Sequence, residues 1–411
     1  MSHKSLSFVG FTGSLATLML GPVAQFGTLI VLSRTLSITQ MGAYFTLTAL
    51  LPMLGAVAGL GGHEAALRGI ARSPHETREW MGSALALSVL TLPAVVGLYV
   101  GLMQLFPDHG ALGPLMSLAV IELTAQRGLA IAESVALARG EVHRADLVRT
   151  GGAMSRLAAL ALTWALLQGA DAWICALAGA GGALCFASLA MAWCFARHGT
   201  PLLCWPRDIR GSLYFTVNAT LRACQNSADR FVLALLLPPA ALALYSVATR
   251  ALQVTFIPLQ IVSRRYIPRY FEYGHHAPQK LPRLARHVLQ WMTLVALLEI
   301  ALLWALVPLS DEIFGPDYAP IITFLRAASP VVLLTGLFYV GSDMLNGVDR
   351  QRARITMNII LAFAQAGAMV AVVQCLGPDT LWAGLIAVAG LGAGLAWGLV
   401  AWPRFALAVR A

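Results

Sequence analysis

The sequence predicts an all-α polytopic membrane protein of about 12 transmembrane helices in two six-helix lobes around a central cavity. Three observations predict it. Of 411 residues, 58% are hydrophobic and 11% are charged, whereas soluble domains carry about 25% charged residues, so a water-soluble or disordered chain is excluded. The apolar residues fall in long runs, enough for about a dozen crossings at ~20 residues each. The strict apolar/polar alternation of a membrane barrel is absent.

The runs lie at residues 8–33, 41–62, 80–106, 112–138, 147–168, 172–196, 212–236, 240–263, 288–309, 320–342, 355–376 and 380–402. The first is too long for a signal-peptide core of about 7 to 15 residues and reads as a retained span. The breaks between runs alternate in charge. If the N-terminus is cytoplasmic, the inward segments hold Lys4, then Arg68, Arg72 and Arg78, then Arg139, Arg144 and Arg149, then Arg197, Arg207 and Arg210. The same side continues with Arg264, Arg265, Arg269, Lys280, Arg283 and Arg286, with Arg350, Arg352 and Arg354, and with Arg404 and Arg410. That is 21 basic residues against one, Arg34, in the outward loops, whose acids are Asp108, Asp171, Asp311, Glu312, Asp317 and Asp379. Short cytoplasmic loops collect Lys and Arg, so both termini are expected on the cytoplasmic side of the membrane. The net charge of +9 is thereby a topology signal, and no nucleic-acid partner is expected.

The polar linker from His198 to Arg210 leaves six spans on either side, giving an N-terminal lobe over residues 1–203 and a C-terminal lobe over 204–411. Two such halves around a midplane site are a recurrent transporter layout. A faint repeat supports it: Gly42-Ala43-Tyr44 opens span two and Ala243-Leu244-Tyr245 opens span eight.

Charges inside the spans single out the functional residues, because an arginine facing lipid at the helix centre costs about 2.5–3.5 kcal/mol. Six arginines sit there: Arg127, Arg156, Arg222, Arg230, Arg250 and Arg326. In span seven, Asn218, Arg222, Gln225, Asn226 and Asp229 follow at i, i+4, i+7, i+8 and i+11, one face of a helix. Such a stripe reads as the wall of a wet cavity, the alternative being a hydrogen-bonded helix contact. Glu122 and Gln126 lie one turn apart in span four, and Glu299 is in the middle of span nine. Pairing of Glu122 or Glu299 with an arginine is the structural alternative, and Arg230 and Arg326 can instead reach the outer interface. Six arginines against four acids (Glu122, Glu133, Asp229 and Glu299) favour an anionic cargo, since guanidinium forks match phosphate oxygens bidentately. No Gly-x-x-x-x-Gly-Lys-Ser/Thr loop occurs, so transport would be secondary, with Asp229, Glu122 and Glu299 as candidates for coupling to a proton or sodium ion. The six cysteines and nine histidines form no Cys-x-x-Cys, His-x-x-x-His or mixed cluster, and neither metal nor cofactor is expected.

The stretch from Leu32 to Tyr44, which includes Ser33-Arg34-Thr35 and Gly42-Ala43-Tyr44, resembles the first turn of bacterial polysaccharide-repeat flippases of the O-antigen type. These belong to the multidrug, oligosaccharidyl-lipid and polysaccharide exporter superfamily. Asp229-Arg230, the run Ala243 to Arg250, Pro258 and Pro268 resemble their span-seven and span-eight region. Gly347-Val348-Asp349-Arg350 and the stretch from Glu64 to Arg68 fit their inner turns. One departure stands out: family members commonly carry a Gly and an acid between the Arg and the Gly-x-Tyr, where this chain has Ser37-Ile38-Thr39-Gln40. The subfamily is therefore left open. The resemblance implies a two-lobed bundle that moves an undecaprenyl-pyrophosphate-linked oligosaccharide between leaflets, with Arg34, Arg222, Arg230 and Arg250 facing or gating the cavity.

The combined reading is a lipid-linked oligosaccharide flippase. Arg222 and Arg250 would hold the pyrophosphate, the amides of Asn218, Gln225 and Asn226 would face sugar hydroxyls, and Arg34, Arg127, Arg156 and Arg230 would complete the cavity. Its partners would be membrane lipid and the polymerase and chain-length proteins of surface polysaccharide assembly. A drug or other lipid-precursor exporter of the same superfamily is the near alternative. A membrane-embedded polymerase or glycosyltransferase is the distant one, and it would need a larger outer loop than Ser310 to Ala319.

Overall fold

The computed structural model describes residues 8–106, 111–167, 169–202, 207, 209–348 and 350–401. The side chains of 8–19, 210, 211, 214, 218, 222, 268, 275, 276, 311, 346 and 351 lie outside that description. Lys4, Asp108, Asp349, Arg404 and Arg410, named above, and Cys204, one of the six cysteines, lie outside the described residues. The chain divides into two compact units, Met1–Ala223 and Cys224–Ala411.

The first unit holds α1 (Phe8–Thr35), α2 (Ile38–Ala49), α3 (Leu51–Val57), α4 (Gly62–Arg72), α5 (Thr77–Met103), α6 (Leu112–Ala138), α7 (Val142–Leu166) and α8 (Ala172–His198). It also holds the start of α9 (Ile209–Leu236), whose remainder belongs to the second unit. The second unit continues with α10 (Pro239–His276), α11 (Leu281–Leu306), α12 (Ser310–Phe314), α13 (Pro320–Ala328), α14 (Pro330–Gly347), α15 (Gln351–Cys375) and α16 (Leu381–Ala401). The protein is all-α, without strands among the described residues, and its long apolar helices make it a multi-pass membrane protein. Eight described helices are long and apolar enough to cross a membrane, and a bent pair makes nine. The charge-bearing α7 and α9 are not among them, since their arginines lower the hydropathy of every window.

Among the described residues, all twelve apolar runs fall on helix, with three corrections. Span two is broken: Gly59, Leu60 and Gly61 have φ of 73°, 42° and 64°, so α3 stops and α4 restarts in left-handed backbone. Span ten bends by 46° between α13 and α14, where Pro330 lacks the N–H that would continue the ladder. Span eight does not end at 263. Through Pro258 and Pro268, α10 runs on to His276, adding more than three turns at 3.6 residues each. Its C-terminal part crosses the end of α14 backbone to backbone, for a Cβ on Gly274 would lie 1.9 Å from the Gly347 carbonyl oxygen.

Local chemistry accounts for the helix ends. Ser37 caps α2: its hydroxyl accepts from the Gln40 amide at 3.3 Å, and the Gln40 side chain accepts from the Ser37 amide at 3.2 Å. This is a capping box closed by an uncharged third residue, Gln40. At the α6–α7 turn, Gly140 takes φ 77° and the Glu141 amide reaches back to the Ala136 carbonyl, a left-handed C-cap. Between spans, small residues permit close packing, as membrane helices require in place of a hydrophobic driving force. On α6 and α8, Ala125 packs with Ala183 and Ala187, and Gly128 lies against Ala187. Large apolar side chains such as Phe363, 75% exposed, point outward.

Candidate functional site

In the first unit, the charged core is built by α6, α7 and α2. Glu122 lies ten residues from the N-terminal end of α6 and Arg156 ten from the C-terminal end of α7, about 15 Å along each helix. At that shared depth Arg156 Nη2 donates to both Glu122 oxygens, at 2.7 and 2.8 Å. Gln126 Nε2 donates to the same carboxylate at 2.9 Å. The Tyr44 hydroxyl of α2 is within hydrogen-bonding reach of Arg156. The group is closed: a carboxylate with three donor contacts and a guanidinium that is its counterion.

Arg127, the next residue on α6, serves the broken span. Its Nη1 donates to the Ala58 carbonyl at 2.9 Å, meeting an orphan acceptor at the C-terminal end of α3, where a cation also complements the helix dipole. The Thr91 hydroxyl accepts from the Gly59 amide at 2.7 Å. Irregular backbone at this depth is tolerable because both polar ends are met by protein groups. Arg34 is exposed in the last turn of α1.

At the end of this unit where α6 turns into α7, acids meet four of the bases. Glu141 accepts from Arg144 at 3.1 Å and Arg197 at 2.8 Å, and Asp146 accepts from Arg149 at 3.0 Å. Arg207 reaches Glu76 and Glu79. Burial pushes the Glu141 carboxyl up, but the two guanidiniums outweigh it and hold the group below its ordinary range.

In the second unit, Asp229 of α9 is 4% exposed and accepts from the Tyr245 hydroxyl of α10 at 2.6 Å. Its other oxygen, Oδ1, is buried with no partner among the described residues. Arg230, also buried, donates Nη2 to the Asn226 carbonyl at 3.1 Å, and Gln225 donates to the Asn358 carbonyl of α15 at 2.6 Å. Asn226 is exposed and Arg250 half-buried. The side chains of Asn218 and Arg222 lie outside the described residues. Of the stripe on span seven, then, Gln225 and Asp229 join α9 to its neighbours. Glu299 is half-buried on α11 and has no ion pair among the described residues. Arg326 stacks 5.9 Å from the Trp304 ring centre.

The sequence reading missed two partners and one acid. Tyr44 and Tyr245 each stand six residues into their helix and each touches a charged group, half-buried Arg156 and buried Asp229, which gives the faint Tyr repeat a physical content. Asp343 is 5% exposed on α14 and accepts from Ser263 of α10 at 2.5 Å, with Arg354 of α15 as its neighbouring charge. The signal was an acid in an apolar run, overlooked because the span was ended at 342, one residue short. Among the described residues, no group of three His, Cys, Asp or Glu could hold a metal.

No family model and no curated protein matches the sequence. Solved structures do match it along nearly the whole chain. An inward-facing multidrug resistance MATE family transporter of the MOP superfamily aligns over 97% of this chain and 99% of its own, with TM-score 0.76 and 17% identity. The lipid II flippase MurJ, in an inward closed conformation, aligns over 94% and 87%, with TM-score 0.74 and 12% identity. A MOP superfamily transporter from Pyrococcus furiosus, whose binding pocket is described as of reverse polarity, aligns over 97% and 95%, with TM-score 0.68 and 17% identity. The chain thus has the fold of this transporter superfamily.

Proposed function

We propose that the protein is a secondary transporter of a bacterial inner membrane that flips an undecaprenyl-pyrophosphate-linked oligosaccharide for surface polysaccharide assembly, and that it is not an enzyme. The observation that carries this reading is the surplus of guanidinium at membrane depth in a fold shared by drug exporters and a lipid II flippase. In the second unit Arg230 and Arg250 accompany Asp229, whereas in the first Arg156 has its own carboxylate. A cationic drug would call for the opposite surplus, and the sign of charge favours a pyrophosphate. Arg250 and Arg222 are the proposed phosphate holders, with Arg34 and Arg230 at the approach. The Asn218, Gln225 and Asn226 amides are the proposed sugar contacts.

Coupling falls to Asp229, a buried carboxylate whose second oxygen is open to a proton or sodium ion, more readily than to Glu122, already closed by Arg156. Membrane lipid, and the polymerase and chain-length proteins, are the proposed partners. The outer segment Ser310 to Ala319 folds largely into α12 and a short helical turn, which leaves little loop for an acceptor site.

The test is reconstitution. Purified protein in liposomes is expected to move a diphosphate-linked lipid oligosaccharide when a proton or sodium gradient is imposed, and Arg250→Ala to stop the movement while still inserting. Wild-type transport by Arg250→Ala and Arg222→Ala would remove the phosphate-holding role, and sugar polymerisation by the purified chain would replace the reading with the enzymatic one.

A further inference from the structure

Between Arg264 and Arg286 the chain leaves one membrane helix and enters the next, carrying six cations (Arg264, Arg265, Arg269, Lys280, Arg283 and Arg286) against one acid, Glu272. All six are exposed. None has a carboxylate partner among the described residues, and neither does Glu272 have a cationic one. The positive charges are held apart on a packed hairpin. Arg269 lies 5.6 Å from the Tyr266 ring centre and Lys280 5.9 Å from that of Tyr273. Tyr266 and His287 approach to 3.4 Å across α10 and α11, and His287 packs edge-on against Trp291.

Topology alone does not ask for this. The bias of basic residues to one side is nearly indifferent to acids, and the corresponding end of α6, α7 and α8 answers its arginines with Glu141 and Asp146. Six uncompensated cations within a few turns repel one another until an external anion neutralises them. The apolar parts of the two helices run to Ile267 and from Pro278, so the cations stand where a membrane meets water. Exposed Trp291 and Phe271, at 47% and 48%, flank them. Aromatic rings beside basic residues are the pattern of headgroup level, where the abundant anion is lipid phosphate.

We propose that the α10–α11 hairpin is a docking surface for anionic phospholipid headgroups of the adjoining leaflet, its guanidiniums taking phosphate oxygens. This surface is distinct from the membrane-depth arginines assigned to cargo and does not depend on that assignment. The experiment uses the full chain in nanodiscs of phosphatidylcholine with phosphatidylglycerol, with retained lipid counted by native mass spectrometry. The fourfold variant Arg265→Gln, Arg269→Gln, Arg283→Gln and Arg286→Gln is expected to retain at least about tenfold less phosphatidylglycerol, each cation near the surface being worth about fivefold. The matching fourfold Arg→Lys variant is expected to keep most of it, and high salt to weaken it in the wild type. If the fourfold Gln variant fails to fold, the single changes are read instead, each with about a fivefold loss. Wild-type retention by the Gln variants overturns the proposal. So does binding of inorganic phosphate in lipid-free detergent as tight as that of phosphatidylglycerol, which would make the surface a free-anion site.

Discussion

The two units treat charge in opposite ways. In the first, Glu122 and Arg156 close on each other at membrane depth, and Glu141, Asp146, Glu76 and Glu79 answer arginines at the end where α6 turns into α7. In the second, Asp229 leaves one oxygen unpartnered and six cations of the α10–α11 hairpin meet no carboxylate among the described residues. The tyrosines at the same register sharpen the contrast: Tyr44 joins a finished ion pair, while Tyr245 is the donor to a carboxylate that has no guanidinium bonded to it. A satisfied buried pair gives fixed geometry and little capacity for a ligand. An unsatisfied one is where an ion or phosphate entering from outside changes the energy most.

The severest test of that contrast is Glu122→Ala, which strands Arg156 without its counterion and is expected to lower stability by about 3–5 kcal/mol. Thermal denaturation in detergent reads it. Replacing both partners, Glu122→Leu with Arg156→Met, should recover most of the loss, and a single mutant as stable as wild type would mean the pair is not closed. Next comes Tyr245→Phe, which takes away the hydrogen bond to Asp229 and should cost about 1.5–3 kcal/mol, a bond to a charged group being the stronger kind. Tyr44→Phe should cost less, because Arg156 loses one contact and keeps both bonds to the Glu122 carboxylate.

Asp229→Asn is expected to change stability by no more than about 1 kcal/mol, since the amide oxygen still accepts from Tyr245, yet to abolish gradient-driven transport in liposomes. Gradient-driven transport at the wild-type rate would move coupling elsewhere, with Glu299 the next carboxylate to examine.

The smallest effect belongs to Glu141→Gln, within about 1 kcal/mol because its arginines are well exposed and solvent screens the pair. Its sign with pH is fixed. The folded carboxyl lies below its ordinary range, so its contribution is present above the unfolded value and fades as pH falls through the folded one. Melting curves of wild type and variant should therefore converge in acid, and a gap that widens there would reverse the assignment.

Helix number and fold class were legible because apolar run length is a direct record of membrane thickness. The break at Gly59 to Gly61 was not, for nothing in an apolar run with scattered glycines says which of them turns left-handed. The extension of α10 was hidden by its prolines and its charges, which read as a loop until packing against Gly347 is seen. At the site, the spacing in span seven put Gln225 and Asp229 on one face, but which neighbour each would meet depended on helices 16 to 133 residues away. The Glu122–Arg156 pair was open as an alternative in the sequence, and only distance closes it.

Gly61 of the broken span has a consequence at the level of heredity. A Cβ there would stand 2.4 Å from the Ser212 carbonyl oxygen, a backbone atom of α9 that cannot swing aside, in a φ of 64° that side chains already disfavour. Every amino acid that a glycine codon reaches by one base change adds that carbon. Codon 61 should therefore drift only silently across descendants of this gene, while Gly97 and Gly101 of α5, which face open space, are free to change, so the crossing of these two backbones ought to be visible in natural variation before any protein is purified.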